Sequence, residues 1–130
     1  MITVKFNSEL GHLDSRFHGP VTADEIIDYI NATKENASYP RYLKILTDGT
    51  EAIMTFTAEA LPLIVEANNQ SLENYDAIID AIVLDSGRET ALSEFYEQLS
   101  KAPKYRFRVF STREAAITWL SGFKDPKETE

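Results

Sequence analysis

The chain predicts an α/β fold: a mostly parallel five-stranded sheet with an antiparallel first strand, flanked by four helices in the order ββαβαβαβα. Three observations lead there. The stretch 77–84, AIIDAIVL, is apolar at all but one position. Strands buried on both faces read this way, and they belong to parallel sheets covered by helices. Strand-like runs alternate with amphipathic helical stretches along the chain, so three strand–helix–strand crossovers are implied, each right-handed. The first two strands, by contrast, are joined by a turn too short for a crossover, so the first is antiparallel.

Each element has its own signal. Ile2 to Phe6 alternates apolar and polar residues, and Asn7-Ser8-Glu9-Leu10-Gly11 is turn chemistry. His12 to His18 reads as a second strand with Leu13, Ser15 and Phe17 on one face, stopped by Gly19-Pro20. Thr22-Ala23-Asp24-Glu25 is a capping box, and Ile26, Ile27 and Ile30 continue a helix to about Lys34. Tyr42 to Leu46 is a short strand closed by Thr47-Asp48-Gly49-Thr50. Thr57 is placed to cap a second helix, with Pro62 early in it and Leu61, Ile64 and Val65 as its buried stripe. Asn68-Asn69-Gln70-Ser71 weakens that pattern. Gly87 to Ala102 is the clearest amphipathic helix, with Leu92, Phe95 and Leu99 on one side. Tyr105 to Phe110 is the last strand, an edge strand with Tyr105, Phe107 and Val109 on its apolar face and arginine stems on the other. Ser111 to Glu114 opens a final helix with Ala116, Trp119 and Leu120 inward. Residues 1–123 read as one domain and 124–130 as an unstructured polar tail.

Composition bounds the function classes. The 130 residues carry 13 basic and 21 acidic side chains, a formal charge of −8, and no cysteine. That field repels phosphate backbones and anionic membrane surfaces, so no nucleic-acid partner is expected. The aromatic–arginine interleaving of Tyr105-Arg106-Phe107-Arg108 is read as an edge strand rather than a single-strand binding platform. Without cysteine there are no disulfides, thiolate metal sites or cysteine nucleophiles. The Met1–Phe6 segment is too short for a signal peptide, and no apolar run approaches the roughly 20 residues that span a bilayer. The expected location is cytoplasmic.

The apolar run AIVL ends in Asp85-Ser86-Gly87, a place where a nucleophilic or phosphorylated serine could stand. The spacing of Ser86 to Glu89 instead matches a capping box, like Thr22/Glu25 and Ser111/Glu114, and each cap is worth about 1 kcal/mol. A catalytic serine needs a base, and His12 and His18 both lie on the N-terminal hairpin. Asp48 and Asp85 both follow strands and so belong at one end of the sheet, where open α/β sheets bind ligands. A receiver-type phosphoacceptor site would need paired acids after the first parallel strand and a lysine after the last; Gly19-Pro20 and Ser111-Thr112 stand there. Acids near helix N-termini favour the dipole without any metal, and no glycine-rich phosphate loop occurs. Neither cofactor nor metal is expected.

The stretch 109–120, VFSTREAAITWL, resembles the closing strand and helix of SpoIIAA-like proteins, related to STAS domains. Gly19 to Glu25 resembles that family's turn into its first helix, and Ala81 to Asp85 its fourth strand. The resemblance spans essentially the whole chain. It implies the fold of anti-sigma-factor antagonists and STAS domains and, more distantly, of CRAL/TRIO lipid-binding domains. Antagonists carry a phosphorylated serine in an Asp-Ser-x-Gly motif after the third strand. Here Thr47-Asp48-Gly49-Thr50 stands in that place, so the serine is missing and Thr50 is the one hydroxyl left for modification.

The expected function is a non-catalytic regulatory protein–protein interaction module. The alternative is a binder of a small apolar or amphipathic, lipid-like ligand; an enzyme lacks any assembled base, nucleophile and orienting group. The expected contact surface is the rim where the parallel strands end, carrying Asp48, Thr50, Asp85, Ser86, Arg88, Ser111 and Arg113. Its partner is a protein of unknown identity, a small-molecule ligand and a homodimer both remaining open. An exposed apolar patch on one helix face would favour the first reading, and an enclosed cavity the second.

Overall fold

The computed structural model describes residues 1–128. Its strands β1 (Ile2–Asn7), β2 (His12–Val21), β3 (Tyr42–Met54), β4 (Ala77–Val83) and β5 (Tyr105–Phe110) lie side by side in sequence order. β1 runs antiparallel to β2, and the remaining pairs are parallel. Between and after them come α1 (Ala23–Glu35), α2 (Leu61–Ser71), α3 (Gly87–Leu99) and α4 (Arg113–Ser121). Crossovers of one hand in a sheet laid down in order keep their helices on one face, so α1, α2 and α3 share a side. There Leu13, Phe17, Leu43, Ile45 and Ile78 meet Ile26, Ile64 and Tyr96. α4 follows the last strand and covers the opposite face, packing Ala116 and Leu120 on Leu46, Ile79, Ala81 and Val83.

Two strands outrun their expected ends. β2 continues through Gly19-Pro20 to Val21. Gly19 adopts φ +65°, open to glycine at little cost. Pro20 faces the β1 side, where its carbonyl accepts from the Met1 ammonium at 3.0 Å, and β1 pairs no further than Phe17. A missing N–H on that edge costs no ladder bond. β3 runs on to Met54, so Thr47-Asp48-Gly49-Thr50 is not its end. Between the pairs Arg16–Asp48 and His18–Glu51, the single β2 residue Phe17 opposes two of β3, Gly49 and Thr50, which makes the stretch a β-bulge. A Cβ on Gly49 would lie 2.6 Å from the Leu84 Cδ2, so any larger residue would have to displace that buried side chain.

The helices hold further departures. Thr57 caps only a one-turn 3-10 segment, Ala58–Ala60, and its side chain makes no cap bond; α2 starts after it, with Pro62 in the first turn. α2 continues through Asn68-Asn69-Gln70 because Asn68 and Ser71 turn inward. α3 ends at Leu99 and is turned from the expected register: Glu89, Ser93 and Tyr96 face the sheet, while Phe95 and Leu99 remain exposed. α4 is capped by Thr112, whose hydroxyl accepts from the Ala115 amide at 3.2 Å, so the Ser111/Glu114 box does not form. Trp119 is half-buried, packed between Phe110 and Phe123 with ring centroids 5.5 and 4.9 Å away. Of the tail, Pro126–Glu128 forms a 3-10 turn, with the Lys127 ammonium 2.8 Å from Asp76; residues 129–130 lie outside the described residues. No helix of the described residues is long and apolar enough to cross a membrane.

Candidate functional site

The expected rim is stepped and divided. Asp48, Val83 and Phe110 stand level in the sheet, so Asp85 and Ser111 emerge together just past the ends of β4 and β5. β3 projects six residues beyond that level and β2 five, which places Asp48 and Thr50 inside β3 rather than after it. Asp48 turns back on its own bulge, accepting from the Thr50 amide at 3.0 Å and the Thr50 hydroxyl at 2.7 Å. Ser86 and Arg88 belong to the face of the sheet under α3. Ser111 and Arg113, both exposed, lead into α4 on the other.

Ser86, Arg88 and Glu89 form a structural clamp. The Ser86 hydroxyl caps α3, accepting from the Glu89 amide at 3.4 Å and donating to the Glu89 carboxylate. Glu89 does not return to the Ser86 backbone; it accepts from the Met54 amide at 3.1 Å. Arg88 donates to the carbonyls of Met54 and Phe56, the latter at 2.7 Å. Past Asp48, β3 has no β4 partner, and these two side chains satisfy its free edge. Burial opposes ionisation of Glu89, but its bonds from Ser86, Met54 and Arg88 prevail and hold its carboxyl below the usual value. Arg88 is thus tied down, whereas Arg113 makes no side-chain bond among the described residues.

The chemically unusual place lies elsewhere, between the sheet and α1–α3. The exception in the apolar strand β4 is Asp80, whose carboxyl lines a cavity of about 90 Å³. Thr47 of β3 donates to its Oδ1 at 3.5 Å and Tyr105 of β5 to its Oδ2 at 3.2 Å. Tyr96 of α3 is 3.2 Å from the Tyr105 hydroxyl. Ser15 of β2 pairs with Tyr29 of α1 at 2.6 Å. Burial pushes the Asp80 pKa up to about 7, although both hydroxyl donors act to lower it. Burial, with the Asp80 charge adding to it, also raises Tyr29, Tyr96 and Tyr105 above the ordinary phenol range. Asn68, 5% exposed, lines the same cavity, and its Nδ2 is buried without a hydrogen-bond partner among the described residues. Such a wall can hold a polar group but lacks a nucleophile set against a base. The sequence did carry a signal for Asp80, since an acid interrupting a doubly buried strand needs a reason. For Asn68 the signal was a polar residue on the stripe of Leu61 and Ile64.

A second feature lies outside α3. Phe95 and Leu99, one turn apart, are 49% and 42% exposed. On the other flank of α3, a groove of about 570 Å³ runs along β5, lined by Lys101, Arg106, Arg108, Phe107 and Trp119 with Glu97 its single acid. β5 is the sheet edge and pairs only with β4. The expected alternation holds: Tyr105 is buried, Phe107 and Val109 are half-buried, and Arg106 and Arg108 are exposed.

Comparison with solved structures places this architecture. The crystal structure of an uncharacterized protein of the DUF3478 family with a SpoIIAA-like fold, from Shewanella loihica PV-4, matches over 92% of both chains, with a TM-score of 0.58 and 15% identity. The phosphorylated form of the Bacillus cell fate determinant SpoIIAA matches over 92% of this chain and 99% of its own, with a TM-score of 0.53 and 12% identity. The protein has the SpoIIAA-like fold expected from its sequence. No family model and no curated protein matches the chain.

Proposed function

We propose that the protein is a non-catalytic regulatory module that binds another protein through the outer face of α3 and the adjoining β5 edge. The observation that carries this is the exposed Phe95–Leu99 pair on α3, with a basic groove between the opposite flank of the same helix and β5, on a chain whose overall charge is −8. Apolar side chains in a row on a helix surface, rimmed by charge, mark association sites. Lys101, Arg106 and Arg108 suit a partner segment with acidic residues around an apolar anchor, and the open β5 edge suits an extended one. The fold agrees with a regulatory role, since one protein that shares it, SpoIIAA, is described as a cell fate determinant.

The test is cross-linking in the protein's own cells, comparing wild type with the double variant Phe95→Asp/Leu99→Asp. Both positions are exposed, so the double variant should keep its thermal midpoint within a few degrees and lose its cross-linked partner. If it keeps the partner while Arg113→Glu loses it, the contact lies at the exposed rim formed by Asp85, Ser111 and Arg113. A self-cross-link lost in the double variant would identify the partner as a second copy.

The second reading, a small-ligand binder, draws on the Asp80 cavity. Its volume of about 90 Å³ is well below the ~300 Å³ of ordinary ligand pockets. That favours very small molecules for this reading.

A further inference from the structure

We propose that the cavity over β4 is a binding site for a small primary amine bearing a neutral oxygen, of the size of ethanolamine. Its ammonium would sit on the Asp80 carboxylate and its oxygen would accept from the Asn68 amide. Three observations converge. The cavity wall contains no lysine, arginine or histidine, so the Asp80 carboxylate has no cation beside it. Its partners are the neutral hydroxyls of Thr47 and Tyr105. A half-buried carboxylate set in an apolar wall without a counter-charge is costly to ionise, and a bound ammonium would supply that charge through a charge-assisted hydrogen bond.

Asn68 is the second observation. It lines the cavity, and its Nδ2 is buried and donates to nothing among the described residues, which leaves a donor for a ligand to satisfy. An unmet buried donor is unfavourable, and a ligand oxygen would relieve it. The third is size and lining. A cavity of about 90 Å³ suits a ligand of only a few non-hydrogen atoms. Ile45, Ile64 and Ile78 in the same wall suit the methylenes between the two polar ends.

The groups facing Asp80 determine how binding depends on pH. α1 contributes Tyr29, α3 Tyr96 and β5 Tyr105, all kept neutral through the ordinary range by burial. α2 contributes the uncharged Asn68 and Ser71, and β3 the uncharged Thr47. Asp80 is therefore the titrating group of the cavity, and amine affinity should rise as pH increases from 6 to 8 and its carboxyl ionises. This inference is independent of the α3 surface, whose double variant should bind the amine unchanged.

The experiment titrates the folded protein with three molecules of similar size: ethanolamine, ethylene glycol and glycolate. Amide NMR shifts of Ile45, Asn68 and Ile78 provide the readout. Ethanolamine should shift these signals saturably, the glycol at least tenfold more weakly, and glycolate not at all. Asp80→Asn should remove the preference for the amine while the spectrum stays that of a folded chain. Equal binding of amine and glycol, an amine preference that survives Asp80→Asn, or no saturable shift at about 100 mM amine would overturn the proposal. Should the variant fail to fold, the wild-type pH dependence decides: affinity that is flat or falls from pH 6 to 8 also overturns it.

Discussion

The two faces of the sheet are made from alternate residues of the same strands, yet they differ in kind. On β4, Ile79, Ala81 and Val83 turn to α4 and meet Leu46, Ala116 and Leu120 in a wholly apolar layer. Ile78, Asp80 and Ile82 turn to α1–α3, and there the packing opens around a carboxyl, three tyrosines and an unpartnered amide. The α4 layer gains stability from burial at no polar cost. The other layer leaves free energy unrealised in a void and a buried acid, and natural folds depart from good packing in this way chiefly at functional sites. The difference separates the face that holds the fold together from the face able to bind something.

The largest effect should come from breaking the α4 layer. Leu120 is 2% exposed, so Leu120→Ala should cost about 2–5 kcal/mol by urea unfolding. A loss below 1 kcal/mol would mean that this layer is no better packed than its counterpart. A smaller effect separates the helix starts serving the two layers. Thr112→Ala and Ser86→Ala should each cost about 1 kcal/mol as lost caps, while Ser111→Ala should leave stability unchanged. Equal losses at Ser111 and Thr112 would contradict the assigned cap of α4.

The order of elements, the antiparallel first strand and the caps at Thr22 and Ser86 were legible because each rests on local chemistry. Thr22 accepts from the Glu25 amide at 3.0 Å as its spacing predicts. Asp48-Gly49-Thr50 misled for a physical reason: the residues that end a strand also build a bulge, and only the register between β2 and β3 distinguishes them. Leu92 packs on the core as expected, but Phe95 and Leu99 misled differently. Their spacing is that of a buried stripe, but Glu89 is drawn to the free edge of β3 and Tyr96 to Tyr105, which turns the helix and exposes Phe95 and Leu99. Ser111 and Thr112 present two adjacent hydroxyls, and the strand end decides which caps. The rim was only partly legible, because the true length of β3 moves Asp48 and Thr50 into the sheet and enlists Arg88 to hold its edge. The Asp80 cavity depends on residues from seven elements, β2 to β5 and α1 to α3, and is not encoded by any single stretch.

The most direct measurement is the titration of the Asp80 carboxyl carbon by NMR. The shift from 3.8 to about 7 means that the folded chain holds this proton more tightly than the unfolded one. Its contribution to stability is therefore complete below about pH 4 and is lost as pH rises through about 7, at up to ~1.4 kcal/mol per pH unit. Asp80→Asn should remove that slope from the unfolding free energy. A midpoint near 7, with the slope abolished in the variant, establishes a carboxyl buried without a counter-charge. A midpoint near 4 would show Asp80 to be solvated or paired, and the contrast between the two faces would fail.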